Sequence, residues 1–324
     1  MSKGLIVAKF GGTSVATAES RQDVIRRLIR LREQGRPVIA VVSAMGRAGA
    51  PYATDTLLSL IRKGADVTLK DRLISCGEII SACILADELC AAGIPARPFT
   101  AETAGILTDD RPGEANVTDI KADRLTACLA EGILPVVTGF QGILPDGQVT
   151  TLGRGGSDTS AVEIGGRMGA EEVLIFTDVP GVAVADPRLW PEAPFLKDIS
   201  YEDMEILAQA GASVIHPRAV AAGKRFQVPI RVLSTREEKP GTRIGIPAGE
   251  QKGLIGAALK KAGPKSLITV LARPLPELPK SLLPADACVA KEGSDQLGIR
   301  LPEAEAAETL RRLCVFLQKT FSEE

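Results

Sequence analysis

The sequence predicts an α/β protein whose mostly parallel central sheet is covered on both faces by helices, followed by a smaller α+β unit. Three observations predict it. Apolar runs of strand length alternate with amphipathic helical stretches through the first two thirds of the chain, the pattern of parallel strands buried on both faces. Lys9, Thr138 and Thr177 fall at the carboxyl ends of such runs, where ligands of open α/β sheets gather. From about Pro240 proline and glycine become frequent and the strand-like runs shorten.

The elements follow in order. Leu5-Ile6-Val7-Ala8 is a buried strand that runs into Lys9-Phe10-Gly11-Gly12-Thr13-Ser14. Thr17 or Ser20 caps the next helix, and Val24, Leu28 and Leu31 mark its apolar face. Pro37 to Val42 is a second buried strand. Val67 to Ala92 is a long helix stopped by Gly93 and Pro95. Gly132 to Thr138 is a strand, and Gly139 to Thr151, with Asp146-Gly147 inside, is a hairpin. Ser157 to Met168 is helical; Val173 to Phe176 and Val228 to Leu233 are strands. Beyond Pro240, strands are expected over 252–260, 266–272, 287–291 and 296–301. Pro302 opens a final amphipathic helix to Thr320. The expected division is a catalytic domain over 1–245 and a smaller domain over 246–324.

Composition narrows the function. A formal net charge of −1 provides no global basic field for nucleic acid or a membrane surface, so any anion site must be local. No apolar run is long enough to span a bilayer. Met-Ser-Lys-Gly leads straight into a strand with no room for a signal peptide, and the expected location is the cytoplasm. The six cysteines form no CxxC pair and no Cys/His cluster, against structural zinc. Cys76, Cys83 and Cys90 recur every seventh position in a helix and are expected to be buried small apolar side chains. The one histidine, His216, precedes Pro217 and is expected to cap or pack at a helix start. That scarcity argues against Ser–His and Cys–His mechanisms.

Four segments carry chemistry. The lysine, glycine pair and hydroxyls of KFGGTS suit a phosphate: glycine lets backbone N–H groups approach anionic oxygens, and the lysine supplies a point charge. Thr151 to Asp158 is a second glycine-rich loop opening a helix. Arg154 in it can grip a carboxylate or phosphate in bidentate fashion, while Ser157 or Asp158 can cap the helix. Leu73 to Glu78 is a polar notch inside a helix; Gly77 there costs about 1 kcal/mol against alanine, so a ligand or close packing must explain it. Thr177-Asp178-Val179-Pro180-Gly181 and Ala185-Asp186-Pro187-Arg188 are strand-end turns carrying both charge signs. No GxxxxGK[ST] and no strand-following GxGxxG occurs, against a Walker-type ATPase and a Rossmann dehydrogenase.

Together these segments resemble the aspartate kinase branch of the amino acid kinase superfamily. The resemblance covers Lys9 to about Thr235, with KFGGTS, LISCGEIIS, TLGRGGSDTSA and FTDVPG…ADPR in order. Ser43-Ala44-Met45-Gly46 and Pro51 to Asp55 point to bacterial members whose kinase domain precedes paired small regulatory domains. It implies the three-layer amino acid kinase fold and transfer of the ATP γ-phosphoryl group to the side-chain carboxylate of L-aspartate. The product, 4-phospho-L-aspartate, begins lysine, threonine, methionine and diaminopimelate biosynthesis. ATP, Mg2+ and a homodimer or higher homo-oligomer are implied with it.

By the same resemblance, Lys9, Gly11 and Gly12 would bind the transferring phosphoryl group and Asp158 would hold Lys9. Glu78 would meet the substrate ammonium and Arg154 its α-carboxylate, with Ser14, Thr54, Phe140 and Ser157 completing the pocket. Thr177, Asp178, Ala183, Arg188 and Ser213 would line the nucleotide site; no metal ligand of the protein itself is expected.

The chain departs from the pattern at Ser213, where the family usually has lysine, and at Ala183, where a large residue is common. Only about one ACT-length segment follows the kinase region, and Arg273 to Pro284 is too proline-rich for a proper first ACT helix. Feedback control by lysine or threonine is therefore not expected. Two alternatives stand beside the kinase: another amino acid kinase acting on a related acid, and a non-catalytic aspartate-sensing or regulatory subunit.

Overall fold

A computed structural model of the chain describes residues 4–247, 249–291 and 293–322. Strand β1 (Ile6–Phe10) runs into a single helical turn, α1 (Gly12–Val15), and then α2 (Ala18–Glu33). Of the two expected caps Thr17 is the N-cap, and Ser20 answers it from the first turn: Thr17 Oγ1 accepts the Ser20 N–H at 3.2 Å, and Ser20 Oγ accepts the Thr17 N–H at 3.0 Å. The fully buried β2 (Val38–Val42), α3 (Thr54–Ser59) and the long α4 (Val67–Ala91) follow. Next come β3 (Ala96–Phe99), α5 (Ala101–Ala104), β4 (Ile106–Thr108), β5 (Val117–Ile120), α6 (Asp123–Ala130) and β6 (Leu134–Thr138). The hairpin is β7 (Gln141–Ile143) with β8 (Val149–Thr151), and α7 (Gly156–Arg167) and β9 (Glu172–Thr177) succeed it. β10 (Asp198–Ser200), α8 (Tyr201–Gln209), α9 (Pro217–Phe226), β11 (Ile230–Ser234) and β12 (Thr242–Gly245) complete this part.

Eight strands form one sheet in the order β10-β12-β11-β9-β1-β2-β6-β3. It is parallel from β11 to β3; the single reversal lies between β11 and β12. Successive side chains of a strand point to opposite faces. Ile6, Ala8 and Phe10 accordingly join Val24, Leu28, Leu85 and Leu89 of α2 and α4 in one core, while Val7 joins Val162 of α7 and Val220 of α9 in the other. Two cores on two faces make the three-layer α/β/α arrangement. A smaller sheet, β5-β4-β7-β8, flanks it.

The expectation of buried cysteines along α4 is wrong. Cys76, Cys83 and Cys90 are all exposed, and the buried thiols are Cys128 and Cys314. The apolar residues of α4 surround the helix instead of forming one stripe, so residue type does not tell its inner face from its outer one.

The C-terminal part is a four-stranded antiparallel sheet, β13-β14-β16-β15, built from β13 (Gly253–Ala262), β14 (Lys265–Arg273), β15 (Cys288–Lys291) and β16 (Gln296–Pro302), with α10 (Glu303–Ser322) packed on it. Between β14 and β15 the described helical structure is one 3-10 turn, Lys280–Leu282. Its core, with Ile268, Val270, Leu310 and Leu313, is completed by Val184, Ala185 and Trp190 from the loop after β9. Arg273 ties the same parts together: its Nη1 and Nη2 donate to the carboxylate of Asp203 at 2.9 and 2.7 Å, and its Nε to Asp295 at 2.8 Å. Asp203 is 1% exposed. Arg273→Met is expected to cost about 3 kcal/mol, because it strands a buried carboxylate. Thermal unfolding should fall by several degrees; an unchanged melting curve would contradict the clamp. No helix of the described residues is long and apolar enough to cross a membrane.

Candidate active site

The site lies at the carboxyl edge of the central strands. β1 pairs with both β2 and β9, so Lys9 sits opposite Val41 on one side and Ile175 on the other. The turns leaving these strands therefore converge. Two neighbouring cavities open there, of about 520 and 610 Å3.

The smaller cavity gathers eight of the residues singled out in the sequence: Lys9, Gly12, Thr54, Glu78, Phe140, Arg154, Ser157 and Asp158. Lys9 Nζ lies 2.6 Å from Asp158 Oδ1, and both side chains are nearly buried. Asp158 thus faces a lysine across the sheet edge. Neither Ser157 nor Asp158 caps α7; the residue at that position is Gly155, with φ 66° and no side chain to cap with.

Glu78 is 2% exposed on the inner face of α4. The Ala44 N–H donates to its Oε1 at 3.0 Å, while its Oε2 has no hydrogen-bond partner. Burial pushes its carboxyl up to about 8, against the pull of the Ala44 N–H. A buried carboxylate oxygen without a donor beside a cavity is a site for a cation. Close packing explains Gly77: a Cβ there would lie 2.7 Å from the Tyr52 carbonyl oxygen and 2.8 Å from the Ala44 Cβ. Glycine lets α4 approach the 44–52 loop and brings Glu78 to Ala44.

Phe140 holds φ 69°, a left-handed conformation that costs a non-glycine residue about 1–3 kcal/mol. Its N–H donates to Ser160 Oγ at 3.0 Å, and its carbonyl accepts the Leu152 N–H at 2.8 Å. Those bonds hold the 139–141 turn against the glycine loop. Arg154 is exposed at the mouth and has no acidic partner within salt-bridge distance among the described residues.

Two predicted residues sit differently. Ser14 is 4% exposed, and its hydroxyl shares a 2.7 Å hydrogen bond with Thr235 Oγ1, so it braces α1 against the segment after β11 instead of lining the cavity. Gly11 precedes α1 outside the lining residues, its N–H 3.4 Å from the Phe176 carbonyl. One residue that sequence reasoning misses is Asp71, 1% exposed on α4. Its carboxylate accepts the Gly113 N–H at 2.8 Å, the Thr151 N–H at 2.9 Å and the Thr151 hydroxyl at 2.7 Å. It pins the start of the Thr151–Asp158 loop; between Lys70 and Arg72 it reads in the sequence as one more charge of the first turns of α4. His216 caps α9 as expected, its Nδ1 accepting the Arg218 N–H at 3.3 Å, and burial lowers its basicity.

The larger cavity brings together Thr177, Asp178, Ala183, Arg188 and Ser213. Arg47 crosses to it from the loop after β2 and pairs with Asp178 at 2.8 Å. Lys224 and Arg225, cations of α9 that could have stood in for a lysine at Ser213, are bound elsewhere: Lys224 to Glu202 at 2.9 Å and Arg225 to Glu163.

The three-layer α/β fold thus holds a lysine–carboxylate pair between two glycine turns at the carboxyl edge of its sheet. The chain belongs to the Amino acid kinase family, whose profile matches residues 4–234. Within that family it is similar to aspartokinases. It is 39% identical over 308 residues to aspartokinase 2 of Bacillus subtilis (strain 168), covering 91% of this chain and 74% of that one. It is 42% identical over 255 residues to the aspartokinase of Geobacillus stearothermophilus, covering 78% of this chain and 61% of that one. Thus the chain spans between about three fifths and three quarters of these relatives' lengths. Its fold is shared with the crystal structure of E. coli aspartokinase III in complex with aspartate and ADP, at TM-score 0.80 and 19% identity over 95% of this chain and 98% of that one.

Proposed function

We propose that this chain is an aspartate kinase, transferring the ATP γ-phosphoryl group to the side-chain carboxylate of L-aspartate. The observation that carries the reading is the charge pattern of the smaller cavity. The donor-less Glu78 Oε2, the unpaired Arg154 and the Lys9–Asp158 pair line one space. Glu78 matches an α-ammonium, Arg154 an α-carboxylate, and Lys9 the place where a second carboxylate meets a phosphoryl group. The aspartokinase relatives support aspartate as that dicarboxylic acid.

The chemistry asks little of a base. A side-chain carboxylate is already ionised at neutral pH, so the absence of a catalytic histidine is no obstacle. The barrier comes from bringing one anion to another, and the protein must align them and neutralise charge. Lys9 supplies that charge and Asp158 holds its ammonium. Gly12 opens a helical turn whose first N–H groups have no intrahelical acceptor and would present them to the phosphoryl oxygens, while Gly11, its own N–H 3.4 Å from the Phe176 carbonyl, shapes the turn. The nucleotide would occupy the larger cavity along Thr177, Asp178, Ala183, Arg188 and Ser213.

A Mg2+ arriving on the nucleotide would be held mostly by phosphate oxygens and water and would offset phosphate charge. Residues 246–324 form a single ACT-like unit in this reading, and the protein acts in the cytoplasm as a homodimer or higher homo-oligomer. The product would feed lysine, threonine, methionine and diaminopimelate synthesis.

The test is ATP- and Mg2+-dependent aspartyl hydroxamate formation, run with aspartate and with other short acidic amino acids. Product with aspartate alone supports the proposal. Product only with another acid makes the chain a different amino acid kinase. Aspartate binding without product favours a sensor subunit, the reading motivated by Ser213 and Ala183 in the larger cavity. In the active enzyme, Arg154→Ala is expected to raise the aspartate KM ten- to a hundredfold and leave nucleotide affinity intact, the loss of one charged but solvent-facing contact. An unchanged aspartate KM would remove Arg154 from the pocket.

A further inference from the structure

The larger cavity is lined by cations that already have carboxylate partners. Arg47 pairs with Asp178 at 2.8 Å, Arg188 with Asp186 at 2.6 Å, and Lys261 with Glu303. The first two belong to the kinase fold. Lys261 comes from the end of β13, and Glu303 from the first turn of α10. The C-terminal sheet therefore forms part of this wall.

Its strand reaches the cavity because of Gly211. A Cβ at that position would lie 2.8 Å from the Leu259 carbonyl oxygen, so only glycine lets the 211–213 loop lie against β13. Lys260 Nζ fastens the contact by donating to the Gln209 carbonyl at 3.2 Å. Ser213 and Lys261 then line the same space, and Ser213 brings no charge to it.

A polyphosphate entering here meets Asp178 and Asp186 on the wall, so it needs cations free to turn toward it. Arg188 is the least free. Asp186 accepts its backbone N–H at 2.9 Å, its Nε at 3.0 Å and its Nη2 at 2.6 Å within one turn. Lys261 is freer than Arg188: its ammonium bonds to Glu303, and both side chains are open to solvent, 78% and 47% exposed. An exposed pair of this kind is worth little, and an ammonium on a four-carbon stem re-aims easily. Among the described residues it is also the only lysine lining this cavity.

We propose that Lys261 is a ligand of the nucleotide's phosphates, supplied by the C-terminal unit of the same chain, with Glu303 holding it while the cavity is empty. The step is an exchange of ion-pair partners, Glu303 for phosphate, with no covalent change. It gives the ACT-like unit a direct part in nucleotide binding. The inference rests on the reading of the larger cavity as the nucleotide site.

The experiment is calorimetric titration of the full-length chain with MgATP, without aspartate, for the parent and for Lys261→Ala, Lys261→Arg, Glu303→Gln and Lys261→Ala/Ser213→Lys. Lys261→Ala is expected to weaken binding about five- to tenfold, with an unchanged melting temperature because the side chain is exposed. Its affinity should also depend less on salt than the parent's. Lys261→Arg should keep most of the affinity, Glu303→Gln should bind about two- to threefold tighter, and the double variant should recover much of the loss, each on the order expected for an exposed charge. A parent that binds MgATP beside a Lys261→Ala variant that binds it equally well overturns the lysine assignment alone. Weaker binding by Glu303→Gln overturns the holding role. A parent that binds no nucleotide overturns the reading of the cavity and the lysine assignment with it.

Discussion

Lys9→Ala is expected to lower kcat about a thousandfold or more, with the nucleotide Kd within a fewfold of the parent value. Lys9 lines the smaller cavity, beside the place where two anions meet, so its charge acts most in the transition state. A positioned cation at a transferring phosphoryl group is worth several powers of ten. The variant also strands Asp158, whose side chain is only 13% exposed, and this alone should destabilise the protein by about 2–3 kcal/mol. Lys9→Ala/Asp158→Asn separates the two effects: stability should recover and kcat should not. Recovery of kcat in the double variant, or near-normal kcat in the single one, would show that Lys9 is only structural. Single-turnover kinetics at saturating nucleotide and aspartate would read the difference directly.

Glu78→Gln should abolish tight aspartate binding and stabilise the empty protein. The carboxyl sits at about 8 in the folded chain against an ordinary value of 4.5, because burial penalises its charge. The folded state therefore binds more protons than the unfolded state between those values. From this group, stability is greatest below pH 4.5, falls as pH rises through the window, and stays at its low level above about pH 8. Glutamine removes that slope. The variant should exceed the parent by a few kcal/mol at about pH 8.5, and the gap should close toward about pH 4.5.

Binding goes the other way. An ammonium placed against Glu78 favours the ionised form, so aspartate binding near pH 7 should release a proton, and aspartate affinity should strengthen from about pH 6 to 8. Calorimetry in two buffers of different ionisation enthalpy would count that proton. Glu78→Gln should release none and bind aspartate about a hundredfold more weakly, the cost of a lost buried charge pair. Equal aspartate affinity in the two proteins would place the ammonium elsewhere.

Much of this architecture is legible in local sequence signals. β1 and β2 are short apolar runs, the α4 stop is written as Gly93 and Pro95, and Asp146-Gly147 marks the β7–β8 turn. The lysine–aspartate pair is named through the family resemblance that the two glycine-rich loops carry. Ser14 is misjudged because a hydroxyl after a glycine turn looks the same whether it faces a ligand or Thr235, which is 221 positions away. Asp71 stays hidden because its three hydrogen bonds reach Gly113 and Thr151, which have no sequence relation to it. The α4 cysteines are exposed although expected buried, because apolar residues surround the helix and two of its charged residues, Asp71 and Glu78, lie on the inner face.

By itself, then, the sequence determined the succession of strands and helices, the two glycine-rich turns and the family to which they belong. These depend on periodicity, capping and backbone freedom over a few neighbouring residues. Only the tertiary structure decided that Glu78 is buried with one oxygen lacking a donor, that Arg47 and Lys261 line a cavity with Ser213, and that Trp190 completes the C-terminal core. Burial, desolvation and charge pairing depend on which distant segments meet, and the order of strands across the sheet settles that.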